Sequence, residues 1–218
     1  MSIRAVIFDF DGIIADTEDL HYQSYLPVLE NAGMLFSYEE YADHYMAFDA
    51  LGCLRQRAID TDTPFDADTL HEWAEHKNDV FEDLVRHADV QPLPGALDAV
   101  KTAASLGPAG ICTGAVLRDI APLLDRFELH SYLTTVVTAD DVEISKPDPA
   151  CYRLAAENVG IPSEECLAIE DTPGGLRAAR GAGYTTFAVT TTHTEEELAP
   201  FADRVLSSLV RFSKQDLI

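Results

Sequence analysis

The sequence predicts an α/β protein, a Rossmann-like core of parallel strands with an inserted all-helical domain. Three observations predict it. Beyond residue 95, short β-branched runs alternate with helical patterns, the signature of βαβ units and a sheet covered on both faces. Residues 37–88 are rich in aromatics and carry helical periodicity with no convincing strand. Between these regions lies Val90-Gln91-Pro92-Leu93-Pro94-Gly95, a proline-rich return linker. The core is expected to comprise residues 1–16 and 92–218, and the helical insertion residues 17–91. A chain of 218 residues accommodates this, and 47% hydrophobic content is enough for a core.

The first strand is the apolar run 5–8, which ends in Asp9-Phe10-Asp11-Gly12. Strand side chains alternate, so Asp9 and Asp11 point the same way, roughly 6–7 Å apart if the chain stays extended. Two such carboxylates repel unless a cation or proton sits between them. Taken alone, the stretch also reads as a solvated acidic turn. Gly12 lets the chain leave by a turn. Helical patterns follow over 17–33, with Gly33 as C-cap, and over 38–48, 51–59 and 68–87. After the linker, helices are expected at 96–106, 116–127, 148–159 (closed by Gly160) and 174–181. Strands are expected at 110–113, 133–138, 166–169 and 185–189. Thr194 caps a short helix at 195–197, and 204–206 is a last edge strand.

Composition excludes several functions. The formal charge is −23, from 15 basic and 38 acidic residues, which argues against nucleic acid or an anionic membrane as partner. No window approaches the ~18 apolar residues of a membrane span. The chain runs from Met1 directly into the first strand, so a cytoplasmic protein without a secretion signal is expected. Cys53, Cys112, Cys151 and Cys166 lack metal spacing and read as reduced thiols. His71 and His76 are five apart and do not share a helical face, which argues against zinc. The lysines are Lys77, Lys101, Lys146 and Lys214, so one beside a motif is conspicuous.

Ligands of parallel α/β sheets bind beyond the carboxyl ends of the strands. Those ends carry Asp9 and Asp11, then Thr113-Gly114-Ala115, then Lys146-Pro147 in a loop, then Glu170-Asp171. Grouped carboxylates without His or Cys suit a hard cation such as Mg²⁺. The Thr113 hydroxyl, the Gly114 and Ala115 amides at an expected helix N-terminus, and Lys146 suit an anion. Together they fit a phosphoryl group. One aspartate could attack phosphorus to form an acyl phosphate, and the other could move the proton.

In these motifs the chain resembles haloacid dehalogenase superfamily phosphohydrolases with a helical cap after the first strand. The matching segments are Phe8-Asp9-Phe10-Asp11-Gly12 with Asp16-Thr17, Thr113-Gly114, Lys146-Pro147, and Glu170-Asp171-Thr172-x-x-Gly175. They span nearly the whole chain, and four in register are far more specific than any one. The resemblance implies Asp9 as nucleophile and Asp11 as general acid and base. It implies Mg²⁺ on the Asp9 carboxylate, the Asp11 carbonyl and Asp171, with Glu170 nearby or acting through water. Thr113 and Lys146 would hold phosphoryl oxygens, and Gly12, Gly114 and Ala115 would line the substrate.

Within the superfamily the chain is most similar to the β-phosphoglucomutase-like and phosphoglycolate phosphatase-like group. Asp16-Thr17-Glu18-x-x-His21 and Lys77-Asn78-Asp79 match that group's cap segments and imply His21 and Lys77 as substrate-facing. The alternatives are a polar helix-surface histidine and a solvated lysine. The mutases carry a Gly and an Arg where this chain has Met46-Ala47-Phe48-Asp49-Ala50, with Arg55 and Arg57 as the nearest substitutes. That departure favours a Mg²⁺-dependent phosphatase of a small phosphorylated metabolite over a sugar-phosphate mutase, and the resemblance in cap type implies a monomer. A non-catalytic phosphate-binding regulatory protein is the reading from another class.

Overall fold

The computed structural model describes residues 3–46, 48 and 50–217. The chain divides into two compact units, Met1–Asp16 with Val90–Ile218, and Thr17–Asp89.

The first unit is an all-parallel sheet in the order β3-β2-β1-β4-β5-β6. Its strands are β1 (Ala5–Phe8), β2 (Ala109–Cys112), β3 (Thr135–Val137), β4 (Cys166–Glu170), β5 (Thr185–Val189) and β6 (Arg204–Leu206). The helices between them are α5 (Ala96–Ala104), α6 (Leu117–Arg126), α7 (Ala150–Val159), α8 (Pro173–Ala182) and α9 (Glu195–Leu198), numbered after four in the other unit. Every residue of β1, β2 and β4 is buried, as expected for central strands covered on both faces. Tyr152 and Ala155 of α7 and Ala178 and Ala179 of α8 pack with Ile7 and Ala168 in one apolar cluster.

The order puts β1 between β2 and β4. Phe8 is in register with Ile111 on one side and Ile169 on the other. The Asp9 amide continues the ladder to the Ile169 carbonyl at 2.9 Å. Asp9 therefore leaves the sheet between Cys112 and Glu170.

The chain then winds tightly. The Phe10 carbonyl accepts from the amides of Ile13, Ile14 and Ala15, and Gly12 donates to the Ala15 carbonyl at 2.8 Å. Gly12 has φ +74°. Ala15 bridges antiparallel to Pro92, and Leu93 donates to the Ile14 carbonyl at 2.8 Å. The outgoing and returning connections are thus paired.

The second unit comprises α1 (Glu18–Ala32), α2 (Tyr38–His44), α3 (Ala50–Asp60) and α4 (Ala67–His87). Its core is aromatic, with Tyr25, Phe36, Tyr41 and Tyr45 packed on Leu29 and Leu54. Gly33 closes α1 in the left-handed conformation, as expected. Two elements fall short of their patterns by three residues or more. Helix α2 stops at His44, because Tyr45 turns into the core and donates its hydroxyl to Asp60. Ala47 and Asp49, part of the segment compared with the mutases, lie outside the described residues. Strand β3 spans three residues because Thr138 leaves the ladder, its amide and hydroxyl both donating to Asp141 Oδ2.

Candidate active site

Four of the expected residues meet at the carboxyl edge of β1 and β4. Lys146 Nζ lies 3.0 Å from Asp9 Oδ1 and 2.6 Å from Glu170 Oε1, and it donates to the Cys112 carbonyl at 2.7 Å. Asp9, Glu170 and Asp171 are buried and bring one carboxylate oxygen each within 4.8 Å of one another. Loop geometry explains how Lys146 reaches them, since the 142–149 segment returns over the end of β2 before α7 begins.

Glu170 is fully buried and fully engaged. Its Oε1 also accepts from the Tyr152 hydroxyl at 2.9 Å, and its Oε2 from the Asp171 amide and the Thr172 hydroxyl. With every lone-pair direction met, Glu170 serves best as an anchor for Lys146. This arrangement fits action near a cation or through water more readily than direct ligation. Thr172 also caps α8 by accepting from the Gly175 amide at 3.0 Å. A Cβ on Gly175 would stand 1.9 Å from Glu170 Oε1, so only glycine leaves room for the carboxylate.

Asp171 is different. Its Oδ2 accepts from Thr192 at 2.6 Å, while its Oδ1 is buried without a hydrogen-bond partner. Burial, and then the charge of Glu170, push its carboxyl up to about 7. Burial and the charge of Glu170 likewise raise Asp9 well above the ordinary carboxylate range, with Lys146 pulling the other way. Burial disfavours the charge on Lys146, but Asp9 and Glu170 overcome it and hold its pKa well above the usual value. An orphaned carboxylate oxygen beside a second strained carboxylate is a fit for a hard cation, which would satisfy the one and relieve both. Asp9 and Asp171 would supply its side-chain oxygens.

Asp11 is half-buried, two residues past Asp9, and its charge raises both Asp9 and Asp171. Gly12 presses against Asp171, since a Cβ there would stand 1.8 Å from Oδ2. Gly12 thus has a packing reason for its identity, apart from any substrate contact.

Thr113 is buried, and its hydroxyl accepts from the Ala115 amide at 3.0 Å. That bond leaves its own proton to donate. It also engages the Ala115 amide within the loop. Helix α6 begins later, at Leu117, and the Ala115 amide already has a partner. The Leu117 amide, at the true helix start, donates to Asp140.

His21 and Lys77 lie in the helical unit and meet each other there. Lys77 is buried, with Nζ 3.1 Å from His21 Nδ1 and 4.6 Å from the Phe81 ring centroid. The imidazole stacks on Phe81 at 3.9 Å. Burial, and then the Lys77 charge, lower His21 well below its usual pKa. Lys77 is thus not a solvated lysine, and His21, half-buried, is held between Lys77 and Phe81. Arg57 is likewise engaged within its own unit. It donates to the carbonyls of Met34 and Leu35 and to the Tyr45 hydroxyl, and it lies 3.6 Å from Glu40. Arg57 is therefore committed to contacts within the helical unit.

Two contributors escaped the sequence reading, Tyr152 and Thr192. Neither belongs to a local pattern, and the only available signal was a hydroxyl near the start of an element adjoining the sheet edge.

The profile of the haloacid dehalogenase-like hydrolases matches residues 6–189. Fructose-1-phosphate phosphatase YqaB of Escherichia coli is 32% identical over 183 residues, covering 82% of this chain and 92% of its own. A β-phosphoglucomutase of Mycobacterium bovis is 29% identical over 208 residues, covering 84% and 79%. Among solved structures, CbbY from Rhodobacter sphaeroides in complex with phosphate superposes with a TM-score of 0.88 at 26% identity, covering 99% of each chain.

Proposed function

The chain belongs to the haloacid dehalogenase-like hydrolase family, and from that premise we propose that it is a Mg²⁺-dependent phosphatase of a small phosphorylated metabolite. One observation carries the reading: Asp9, at the end of the central strand, sits 3.0 Å from Lys146 and in one buried carboxylate group with Asp171, whose Oδ1 has no hydrogen-bond partner. The Lys146 ammonium pulls Asp9 towards its ionised, nucleophilic form against the burial that opposes it, and a bound cation would complete that ionisation. The Asp9 carboxylate attacks phosphorus, the ester P–O bond breaks, and an acyl phosphate forms. Asp11 gives its proton to the departing oxygen, then takes one from the water that attacks the acyl phosphate. Inorganic phosphate leaves and Asp9 is regenerated. The Thr113 hydroxyl and the Lys146 ammonium stabilise the phosphoryl oxygens.

The helical unit is the part of the chain we assign to substrate selection, with the His21–Lys77 pair as its candidate polar contact. The names of the relatives favour a phosphorylated sugar. No helix among the described residues is long and apolar enough to cross a membrane. We take the protein to be a cytoplasmic monomer.

A mutase would share the first half-reaction and return the phosphoryl group to a sugar hydroxyl. The engagement of Arg57 weighs against it. The test is phosphate release from a panel of sugar phosphates, phosphoglycolate and nucleotides, with and without EDTA. We expect metal-dependent release that Asp9→Asn lowers at least about a thousandfold. Unchanged activity in Asp9→Asn would overturn the reading. Isomerised product formed with a bisphosphate primer, in place of free phosphate, would establish the mutase.

A further inference from the structure

The loop after β5 reaches back to the carboxylate cluster. Thr192 Oγ1 lies 2.6 Å from Asp171 Oδ2 and 3.2 Å from the Asp171 carbonyl oxygen. His193 Nδ1 lies 2.9 Å from the same hydroxyl. A threonine hydroxyl has a single proton. Donating it to Asp171 leaves the hydroxyl oxygen to accept from His193 Nδ1–H, which fixes the rotor. On another side the bare backbone of Gly12 closes against Asp171 Oδ2. Asp171 therefore has two unlike oxygens, Oδ2 covered and Oδ1 buried and open.

This asymmetry bears on which cation the site takes. Mg²⁺ demands near-octahedral single oxygens and keeps several waters, whereas Ca²⁺ takes six to eight oxygens and readily accepts both from one carboxylate. We propose that Thr192 is a positioning residue that restricts Asp171 to binding through one oxygen, and so makes the site favour Mg²⁺ over Ca²⁺. The inference rests on the metal-dependent reading above and extends it to the choice between cations. His193 acts one step further out, by orienting the hydroxyl.

The test is isothermal titration calorimetry of the full chain with Mg²⁺ alone and with Ca²⁺ alone. Thr192→Val removes the hydroxyl and keeps the shape. We expect the preference for Mg²⁺ over Ca²⁺ to fall about tenfold, the weight of one hydrogen bond to a charged group, with Thr192→Ser restoring it. Thr192→Ala, a truncation at an exposed position, is expected to match Thr192→Val and replaces it if that variant does not fold. An unchanged preference in Thr192→Val would overturn the proposal. So would an equal loss of both cations, or a shift in Thr192→Ser as large as in Thr192→Val. A parent protein that bound neither cation would instead sink the metal-dependent reading, and this inference with it.

Discussion

Glu170 Oε1 holds Lys146 Nζ at 2.6 Å while the same oxygen accepts the Tyr152 hydroxyl at 2.9 Å, all with the carboxylate wholly buried. The lysine that steadies Asp9 is thus itself fixed by a group that no solvent reaches. Removing it strands a buried charge. Lys146→Met is expected to destabilise the fold by about 3–5 kcal/mol, as when one partner of a buried ion pair is lost. Tyr152→Phe leaves the pair intact and should cost about 1–2 kcal/mol. Urea unfolding of the two variants checks the order, and a milder effect for Lys146→Met than for Tyr152→Phe would contradict it.

Asp171 gives a pH dependence. Its carboxyl is raised from 3.8 to about 7, so the folded chain without metal binds a proton that the unfolded chain has released. Stability in EDTA should therefore fall as pH rises from about 4 to about 7 on this group's account. A cation competes with that proton, so stabilisation by Mg²⁺ should grow over the same range and level off above it. Thermal melts from pH 5 to 8.5, with and without Mg²⁺, measure both trends.

The glycines at the carboxylates are expected to be intolerant. Gly12→Ala combines a left-handed backbone, about 1–2 kcal/mol for a residue with a Cβ, with a carbon 1.8 Å from Asp171 Oδ2. A displaced Asp171 should lower activity about a hundredfold and remove the Mg²⁺ effect on melting. Gly175→Ala should act through Glu170 instead and lower stability even in EDTA. Activity assays paired with melts in EDTA separate the two.

Arg57 should prove structural. Arg57→Met is expected to lower stability by about 1–3 kcal/mol through lost bonds to the Met34 and Leu35 carbonyls, with KM for a phosphatase substrate unchanged. A raised KM without loss of stability would return Arg57 to the list of substrate ligands.

The sheet and the principal carboxylates were legible in the sequence because both follow local rules. The apolar run 5–8 put Asp9 at a strand end, and βαβ spacing put Lys146 and Glu170-Asp171 on the same edge. Tyr152 and Thr192 were not legible, because their partners are fixed by register between strands far apart in the chain. The bond from the Ala115 amide to Thr113 was not legible either, because such a local side-chain bond leaves no periodic trace. Arg57 drew attention by its charge, yet its partners are carbonyls at the end of α1, which sequence does not display.

The bridge between Ala15 and Pro92 has a consequence for assembly of the chain. Strand β1 is made first but completes its ladders only with residues beyond 108, so the sheet has high contact order and should form slowly. The helical unit depends on nearer contacts and can form sooner. Once residues 15 and 92 are clipped together, everything between them is a closed loop. The entropy of such a loop grows only with the logarithm of its length, about 0.6 kcal/mol per doubling. The sheet is therefore nearly indifferent to the size of what is inserted there, which leaves the insert free to be lengthened or rebuilt without unmaking the core.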